Sequence, residues 1–167
     1  ELFYQPNLWI LQKEFAKYNY SLGESYHMFL PHHTVQPSNA FSVRWFFDDE
    51  IHALRTDRCW HNAISIPENT MRPDRIAVAA YDHDALIGLA GCSEDAKGWM
   101  QIGIDVRPSH RGRGIASHLV TLLTNRILTD GNIPFYGTTL SNYGSWRTAL
   151  AAGFAPAFIE QAAFPLH

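Results

Sequence analysis

The hydrophobic residues just beyond position 100 recur at every second position. Ile102, Ile104 and Val106 alternate with small or polar residues, and this period predicts a strand over residues 99–106. Pro108 has no backbone N–H to donate and favours an extended conformation in the residue before it. We therefore expect the strand to end before Pro108.

Farther along the chain, the apolar residues change to helical spacing. They line one face of a predicted helix that begins at residue 115, and that face consists of Ile115, Leu119, Leu122, Leu123 and Ile127. Gly131 follows at the position where glycine is preferred after a helix, because the backbone there adopts a positive φ. The long helix is therefore expected to end just before Gly131.

The remaining segments follow in an order that predicts a mixed α/β fold. At the N-terminus we expect a helix over 8–20, a break at 21–24, a short strand over 26–30 and a loop over 32–40. The later elements are strands over 41–46, 75–81, 85–92, 133–139 and 154–164, a helix from 48 to about 55, an irregular segment over 56–75, and a helix over 142–152. An antiparallel meander followed by alternating helices and strands is typical of a single α/β domain. We predict an N-terminal extension over 1–40 and a main domain over 41–167.

The composition is that of a globular protein with a small negative charge. Hydrophobic residues make up 46% of the 167 residues and charged residues 17%, which is enough apolar material for a core. The net charge of −3 gives no global basic field, so we predict neither a nucleic-acid nor a membrane partner. The chain begins at Glu1 without a methionine, which is compatible with a segment of a longer protein.

Cysteine and histidine usage argues against disulfides and metal sites. Cys59 and Cys92 are too few for a disulfide framework, and no signal peptide or membrane-length apolar run is visible, so we predict a cytoplasmic protein. His32 and His33 are adjacent and lack the spacing of metal ligands. We predict no metal.

The turn between the predicted strand and the long helix is basic and rich in glycine. It reads Arg111-Gly112-Arg113-Gly114, and it leads into the first turn of the helix, where backbone N–H groups have no partner within the helix. The helix dipole is positive there, and glycines let the backbone approach a bulky anion. The turn therefore predicts a seat for a phosphate or diphosphate. It is neither a Walker loop nor a dinucleotide fingerprint, and a nucleic-acid site at this turn is disfavoured by the acidic balance.

Two motifs in order resemble those of one enzyme family. Arg111-x-x-Gly114-x-Ala116, preceded by Val106-x-Pro108, resembles the (Q/R)xxGx(G/A) signature of the Gcn5-related N-acetyltransferases (GNAT). Farther on, Asn142-x-x-Ser145 followed by Gly153-Phe154 resembles the last core motif of that family. The resemblance implies a GNAT-like fold: a mostly antiparallel sheet that splays between its two central strands and is flanked by helices.

The resemblance also implies acetyl-CoA as co-substrate and a set of residues that hold it. These are Ile104 and Val106 on the strand, then Arg111, Gly112, Arg113, Gly114, Ile115, Ala116 and Ser117 at the helix start, and Asn142 and Ser145 opposite. A backbone N–H near Val106 would polarise the thioester carbonyl. Asn142 has an alternative role as the N-cap of the following helix.

The implied reaction is direct attack of an amine on the acetyl group in a ternary complex. An alkyl ammonium with a pKa near 10.4 costs about 4–5 kcal/mol to deprotonate at pH 7, so a base is expected. Family members often have a glutamate where this chain has Gly137, and a tyrosine proton donor where it has Ala149. Our candidate base is Asp105, with Glu94 and Asp95 as alternatives.

The proton donor and the acceptor site remain open at this stage. Tyr136, Tyr143 or a water are candidates for the missing tyrosine. In the resembled fold the segment over 56–75 covers the acceptor pocket, which Trp45, Phe47, Trp60 and His61 would line or simply support by packing. We predict an N-acetyltransferase for a small-molecule or peptide amine, with a homodimer among the expected assemblies. The alternative is a non-catalytic CoA-binding module.

Overall fold

The part of the chain that the structure describes forms seven strands and three α-helices. The computed structural model describes residues 4–37 and 41–166. The helices are α1 Gln5–Ala16, α2 Ile115–Thr129 and α3 Tyr143–Ala151, and short 3-10 segments cover Asp48–Thr56, Arg58–Trp60 and Pro108–His110. The strands are β1 Tyr20–Pro31, β2 Ser42–Phe47, β3 Asp74–Asp82, β4 Ala85–Ala96, β5 Trp99–Val106, β6 Ile133–Thr139 and β7 Phe154–Pro165.

All seven strands form one sheet in the order β2-β3-β4-β5-β6-β1-β7. Within the described residues, β5 and β6 are the one parallel pair, and the other neighbours are antiparallel. The parallel pairing runs from Trp99–Ile133 to Ile102–Tyr136 and no farther, although both strands continue. The predicted mixed α/β fold, with a sheet that splays between its central strands, is confirmed.

The N-terminal region differs from the sequence prediction. The helix predicted over 8–20 begins at Gln5 and ends at Ala16, and the predicted break at 21–24 is part of the 12-residue strand β1. Pairing explains the difference, because β1 lies between β6 and β7 and forms ladders with both. Gly23 also lets the Phe164 ring lie against the strand, since a Cβ there would stand 2.5 Å from a ring carbon.

The predicted boundary between extension and main domain stays a prediction. Residues 38–40, which end the predicted loop and the extension, lie outside the described residues. The strand of the extension nevertheless belongs to the common sheet. One smaller prediction was wrong, because the helix after residue 48 is a 3-10 segment. The helix predicted over 142–152 is confirmed, with Asn142 and Ala152 as its N-cap and C-cap.

Helix α2 packs on one face of the sheet with the apolar stripe that the sequence predicts. Ile115, Leu119, Leu123 and Ile127 are fully buried, and Leu122 is half-buried beside them. The helix ends at Gly131, whose φ is 78°, and the backbone N–H groups of residues 131 and 132 donate to the carbonyls of residues 128 and 127. This pattern satisfies the last carbonyls of the helix as a Schellman motif does.

Residues 58–64 pack on the opposite face of the sheet, and we call this segment the 58–64 loop. Trp60, Ala63 and Ile64 pack there against a cluster that includes Leu89. The loop lies flat on the sheet because Gly91 and Gly103, which are register partners on β4 and β5, have no side chains. A Cβ on either glycine would overlap a carbonyl oxygen of the loop. The two glycines thus place the loop next to the splay.

Candidate active site

The turn before α2 forms an open cradle of backbone N–H groups. Gly112 and Gly114 have φ values of 76° and 79°, and no atom lies within 4 Å of a Cβ built on either of them. In the described part of the chain, the amides of residues 112–117 donate to no protein acceptor, and the first donor of the helix is His118, 3.0 Å from the Gly114 carbonyl oxygen. The predicted anion seat is therefore accessible and unsatisfied by protein groups.

Two arginines flank this cradle. Arg111 donates from Nε to the carbonyl oxygen of Val106 at 3.2 Å, and Arg113 donates from Nη2 to the carbonyl oxygen of Ser109 at 3.4 Å. Each guanidinium has five N–H groups, so both retain donors after these contacts. The arginines therefore add positive charge at the same place as the helix N-terminus.

A cavity of about 670 Å³ extends from the cradle to α3. It is lined by all but one of the residues that we predicted to hold the cofactor: Ile104, Val106, Arg111, Gly112, Gly114, Ile115, Ala116, Ser117, Asn142 and Ser145. Arg113 is absent from the lining. The structure thus brings together residues from β5, α2 and α3, and their contacts with a cofactor stay a prediction.

A second cavity of about 510 Å³ lies on the side of the 58–64 loop. Its polar lining includes Tyr26, His61, Asn69, Arg72, Gln101 and Thr138. Four residues line both cavities: Asn62, Ile104, Asn142 and Ser145. The two cavities therefore meet where β5 and β6 part, which is where two substrates could react.

The floor of the smaller cavity holds a buried ion pair. Arg55 donates from Nη2 to Oδ2 of Asp74 at 2.8 Å, and their side chains are 10% and 2% exposed. Burial raises the pKa of Asp74, while the backbone N–H of Ser65 and the Arg55 guanidinium oppose that increase. Because each charge is compensated by its partner, the pair offers no free carboxylate to the cavity.

Asn142 acts as the N-cap of α3. Its Oδ1 accepts a hydrogen bond from the backbone N–H of Ser145 at 3.1 Å. The alternative that the sequence left open is therefore realised. Because Asn142 also lines both cavities, its predicted cofactor contact is compatible with the cap.

The carboxylate of Asp105 holds the 58–64 loop. Oδ2 accepts hydrogen bonds from the backbone N–H groups of Asn62 at 2.7 Å and Ala63 at 3.0 Å, and Oδ1 accepts one from the Asn62 side chain at 2.7 Å. Asp105 lines the larger cavity. Its role as a base stays a prediction.

The two alternative bases lie outside both cavities. Glu94 pairs with Arg75 at 3.0 Å, and that hydrogen bond lowers the pKa of the half-buried Glu94 carboxyl. Asp95 accepts hydrogen bonds from Ser93 at 2.7 Å and pairs with Arg72 at 3.1 Å. Neither carboxylate faces the point where the cavities meet.

The structure distinguishes the two candidate tyrosines. Tyr136 is 2% exposed, lines the smaller cavity and is hydrogen-bonded with Ser145, whereas Tyr143 is 76% exposed and lines neither cavity. Burial raises the pKa of Tyr136, and the Ser145 hydrogen bond only partly opposes this. Ala149, at the position usual for the family tyrosine, is fully buried in α3. Of the two candidate tyrosines, the one that lines a cavity therefore lies on β6 and not on α3.

Sequence reasoning missed Asn62, and for three of the four candidate acceptor-pocket residues the structure shows the packing role that the sequence left open. Of the four residues expected to line the acceptor pocket, only His61 does so. Trp60 is buried beneath the Arg107 guanidinium, and Trp45 stacks with Phe47 against the core on the α2 face. Asn62 carries no sequence signal of its own, because its partner Asp105 is 43 residues away.

Residues 4–37 and 41–166 show neither a metal-binding cluster nor a membrane-spanning helix. They contain no group of three or more histidine, cysteine or acidic side chains that could hold a metal ion. No helix in these ranges combines the length and apolar character needed to span a membrane.

Solved structures with this fold come from several bacteria. A GCN5-related N-acetyltransferase from Kribbella flavida superposes with a TM-score of 0.65 at 14% identity, over 92% of this chain and 62% of that one. A GNAT-family acetyltransferase from Colwellia psychrerythraea gives 0.63 at 17% identity, over 92% and 60%. The protein YncA of Salmonella typhimurium, solved with its cofactor acetyl-CoA, gives 0.53 at 15% identity, over 77% and 95%.

The first of these relatives are longer than this chain, which spans about 60% of their length. A search of curated proteins finds no match. The sequence profile of the acetyltransferase (GNAT) family matches residues 26–154, from β1 through both cavity walls to the start of β7. With most of its length matched, this chain belongs to the GNAT acetyltransferase family.

Proposed function

We propose that this chain transfers an acetyl group from acetyl-CoA to the primary amine of a small molecule or a peptide. The observation that carries the proposal is the meeting of two cavities at the splay between β5 and β6. One cavity begins at an anion cradle, and the other is polar and reaches the loop side of the sheet. Reaction by direct attack in a ternary complex requires two such sites that share one wall.

The residues of the larger cavity fit the shape and charge of CoA. The free amides of residues 112–117 would hold the diphosphate, with Arg111 beside them. The edge of β5 that β6 leaves unpaired, from Gly103 to Val106, would pair with the amide groups of the pantetheine arm. Acetyl-CoA supplies the activated thioester. Asn62 and Ser145, which line both cavities, would lie next to that thioester.

The smaller cavity supports a polar acceptor. Its lining carries hydroxyl, amide and imidazole groups, which belong to Tyr26, His61, Asn69, Gln101 and Thr139. Polar groups of this kind orient a bound ligand by hydrogen bonding to it. The ion pair beneath the cavity is already neutralised. We infer an amine that carries hydroxyl or amide groups.

A non-catalytic CoA-binding module is the second candidate function. Gly137 and Ala149 stand where family members often have a glutamate and a tyrosine, and this departure favours binding without turnover. The cradle is compatible with both functions. Only turnover separates them.

The deciding experiment measures thiol release from acetyl-CoA with five amines: propylamine, putrescine, glucosamine, glycine and a peptide with a free N-terminus. Calorimetry with CoA runs in parallel. The enzyme proposal expects CoA binding and turnover, with glucosamine or the peptide faster than propylamine. CoA binding without turnover on any amine would favour the non-catalytic module. Absence of CoA binding would contradict both functions.

A further inference from the structure

The 58–64 loop carries a chain of hydrogen bonds that ends on an imidazole. The Asp105 carboxylate binds the Asn62 side-chain nitrogen at 2.7 Å, and the same nitrogen lies 3.2 Å from Nε2 of His61. The other ring nitrogen of His61, Nδ1, lies 3.2 Å from the carbonyl oxygen of Arg58. His61 is exposed and lines the smaller cavity, next to Asn62 at the junction.

The partners in this chain fix where the protons lie. A carboxylate only accepts, so the Asn62 amide must turn its NH₂ group toward Asp105. The second hydrogen of that NH₂ group then points at Nε2 of His61, which must accept. A backbone carbonyl also only accepts, so Nδ1 of His61 must carry the proton. The neutral tautomer with Nδ1–H and an Nε2 lone pair that accepts from Asn62 satisfies every contact.

We propose that His61 is the general base that takes the proton from the acceptor ammonium, and that Asn62 and Asp105 are positioning residues. The inference rests on the proposed amine acetylation. It differs from the sequence prediction, which assigned the base to Asp105. Because the oxygens of Asp105 already accept from three loop N–H groups, this carboxylate is committed to the loop.

The proton transfer begins when the acceptor ammonium donates to Nε2 and replaces the longer of the two Asn62 contacts. The proton moves from nitrogen to Nε2, and the electron pair left on the amine forms the new C–N bond. The C–S bond breaks, its electron pair leaves on sulfur, and a second proton from the amine nitrogen passes to that sulfur. The imidazolium formed on His61 faces Asp105 across the Asn62 amide, and that carboxylate stabilises the positive charge.

The loop is fixed rigidly enough to aim this imidazole. The backbone N–H of Asn62 donates to the Asp105 carboxylate. The backbone carbonyl oxygen of Asn62 contacts Gly103, which has no side chain. Trp60, one residue before His61, is 1% exposed and anchors the loop in the core. A base that is held by packing and by a second set of hydrogen bonds pays little reorganisation during the reaction.

The first test reads the tautomer and needs no acceptor. Long-range ¹H–¹⁵N spectra of the histidine rings are recorded for the wild type and for Asp105→Asn. We expect the Nδ1–H tautomer of His61 in the wild type. In Asp105→Asn, the new NH₂ group turns the Asn62 amide over, so that its oxygen faces Nε2 and the hydrogen bond that Nε2 accepts in the wild type is lost. We therefore expect the ¹⁵N resonance of Nε2 to shift. An Nε2–H wild type, or an unshifted Nε2 resonance in the folded variant, would overturn the proposal.

The second test is kinetic and uses the fastest amine of the five-amine panel. We expect His61→Gln to lower kcat at pH 7 by 100-fold or more, with KM for acetyl-CoA changed less than twofold. Free imidazole should restore part of the rate of His61→Ala. The control is His83→Gln, whose side chain is 97% exposed in the β3–β4 turn, and it should keep the wild-type rate.

The outcomes separate this inference from the proposed function. If the wild type turns over and His61→Gln keeps more than a third of its kcat, the base is not His61. If Asp105→Asn loses activity while His61→Gln does not, the base is Asp105, as the sequence prediction had it. If the wild type acetylates no amine, the proposed function fails, and the base assignment fails with it.

Discussion

The carbonyl oxygen of Asn62 occupies the space where a Cβ on Gly103 would stand. This contact holds the 58–64 loop against β5 at the splay, and it leaves no space for a methyl group at position 103. We therefore expect Gly103→Ala to push the loop off the sheet and to destabilise the protein by about 1–3 kcal/mol, the usual cost of overpacking. Urea unfolding measures the change, and thiol release from acetyl-CoA measures the loss of activity.

Gly144→Ala is the matched control for stability. A Cβ on Gly144 would have one neighbour, Oδ1 of Asn142 at 3.6 Å, and alanine favours the first turn of α3. Its unfolding free energy should stay within about 0.5 kcal/mol of the wild type or rise. Equal unfolding free energies of Gly103→Ala and Gly144→Ala would mean that the 58–64 loop moves away from β5 at no cost in stability.

The anion cradle can be tested with two variants that differ only in charge. Gly114 has a φ of 79°, a conformation that asparagine and aspartate tolerate better than other side chains. Like charges about 4 Å apart near a protein surface repel by up to about 4 kcal/mol. We expect Gly114→Asp to weaken CoA binding by roughly 100-fold and Gly114→Asn by less than about tenfold.

Calorimetry with CoA at constant ionic strength gives both affinities. The wild type sets the reference. Equal affinity in Gly114→Asp and Gly114→Asn would place the diphosphate elsewhere, since only a nearby anion discriminates between them.

Local chemistry made the cradle predictable from the sequence, whereas long-range pairing hid other parts of the site. The turn over 111–114 is defined by its own glycines and by the helix that follows it. Residues 26–30 of β1 were predicted as a strand, whereas the part before them was predicted as a helix end and a break, because its pairing with β7 supplies the order that its polar residues do not. The Asn62–Asp105 contact joins residues 43 positions apart, and no local pattern encodes it.

Asp74 makes a specific prediction about stability and pH. Burial raises the pKa of its carboxyl in the folded protein, whereas an aspartate in the unfolded chain titrates near 3.9. The folded state therefore binds the proton more tightly than the unfolded state does. The stabilisation that Asp74 contributes is therefore largest below about pH 3.9, where the carboxyl is protonated in both states. It falls as the pH rises toward the pKa of Asp74 in the folded protein. In Asp74→Asn this fall should be absent.

Urea unfolding from pH 3 to pH 7 measures the difference in unfolding free energy between the wild type and Asp74→Asn. The control is Glu94→Gln, because the Arg75 hydrogen bond lowers the pKa of Glu94 and its contribution has the opposite sign. The wild type should lose stability relative to Asp74→Asn as pH rises, and gain it relative to Glu94→Gln. Parallel curves for all three proteins would contradict both assignments.

The last prediction concerns the departing thiolate. The Tyr136 phenol is protonated at neutral pH and lines the smaller cavity, where it can relay the second amine proton to the departing sulfur. Burial raises the pKa of Tyr136, which makes the phenol a weak acid. A thiol with a pKa near 8.5 leaves tolerably without a donor, so the contribution is modest. We expect Tyr136→Phe to lower kcat by about tenfold with little change in the KM for acetyl-CoA. Tyr143→Phe, at the exposed position, should behave as the wild type. Steady-state kinetics compare the kcat values of Tyr136→Phe and Tyr143→Phe. Equal kcat values would mean that Tyr136 does not protonate the sulfur and that water does.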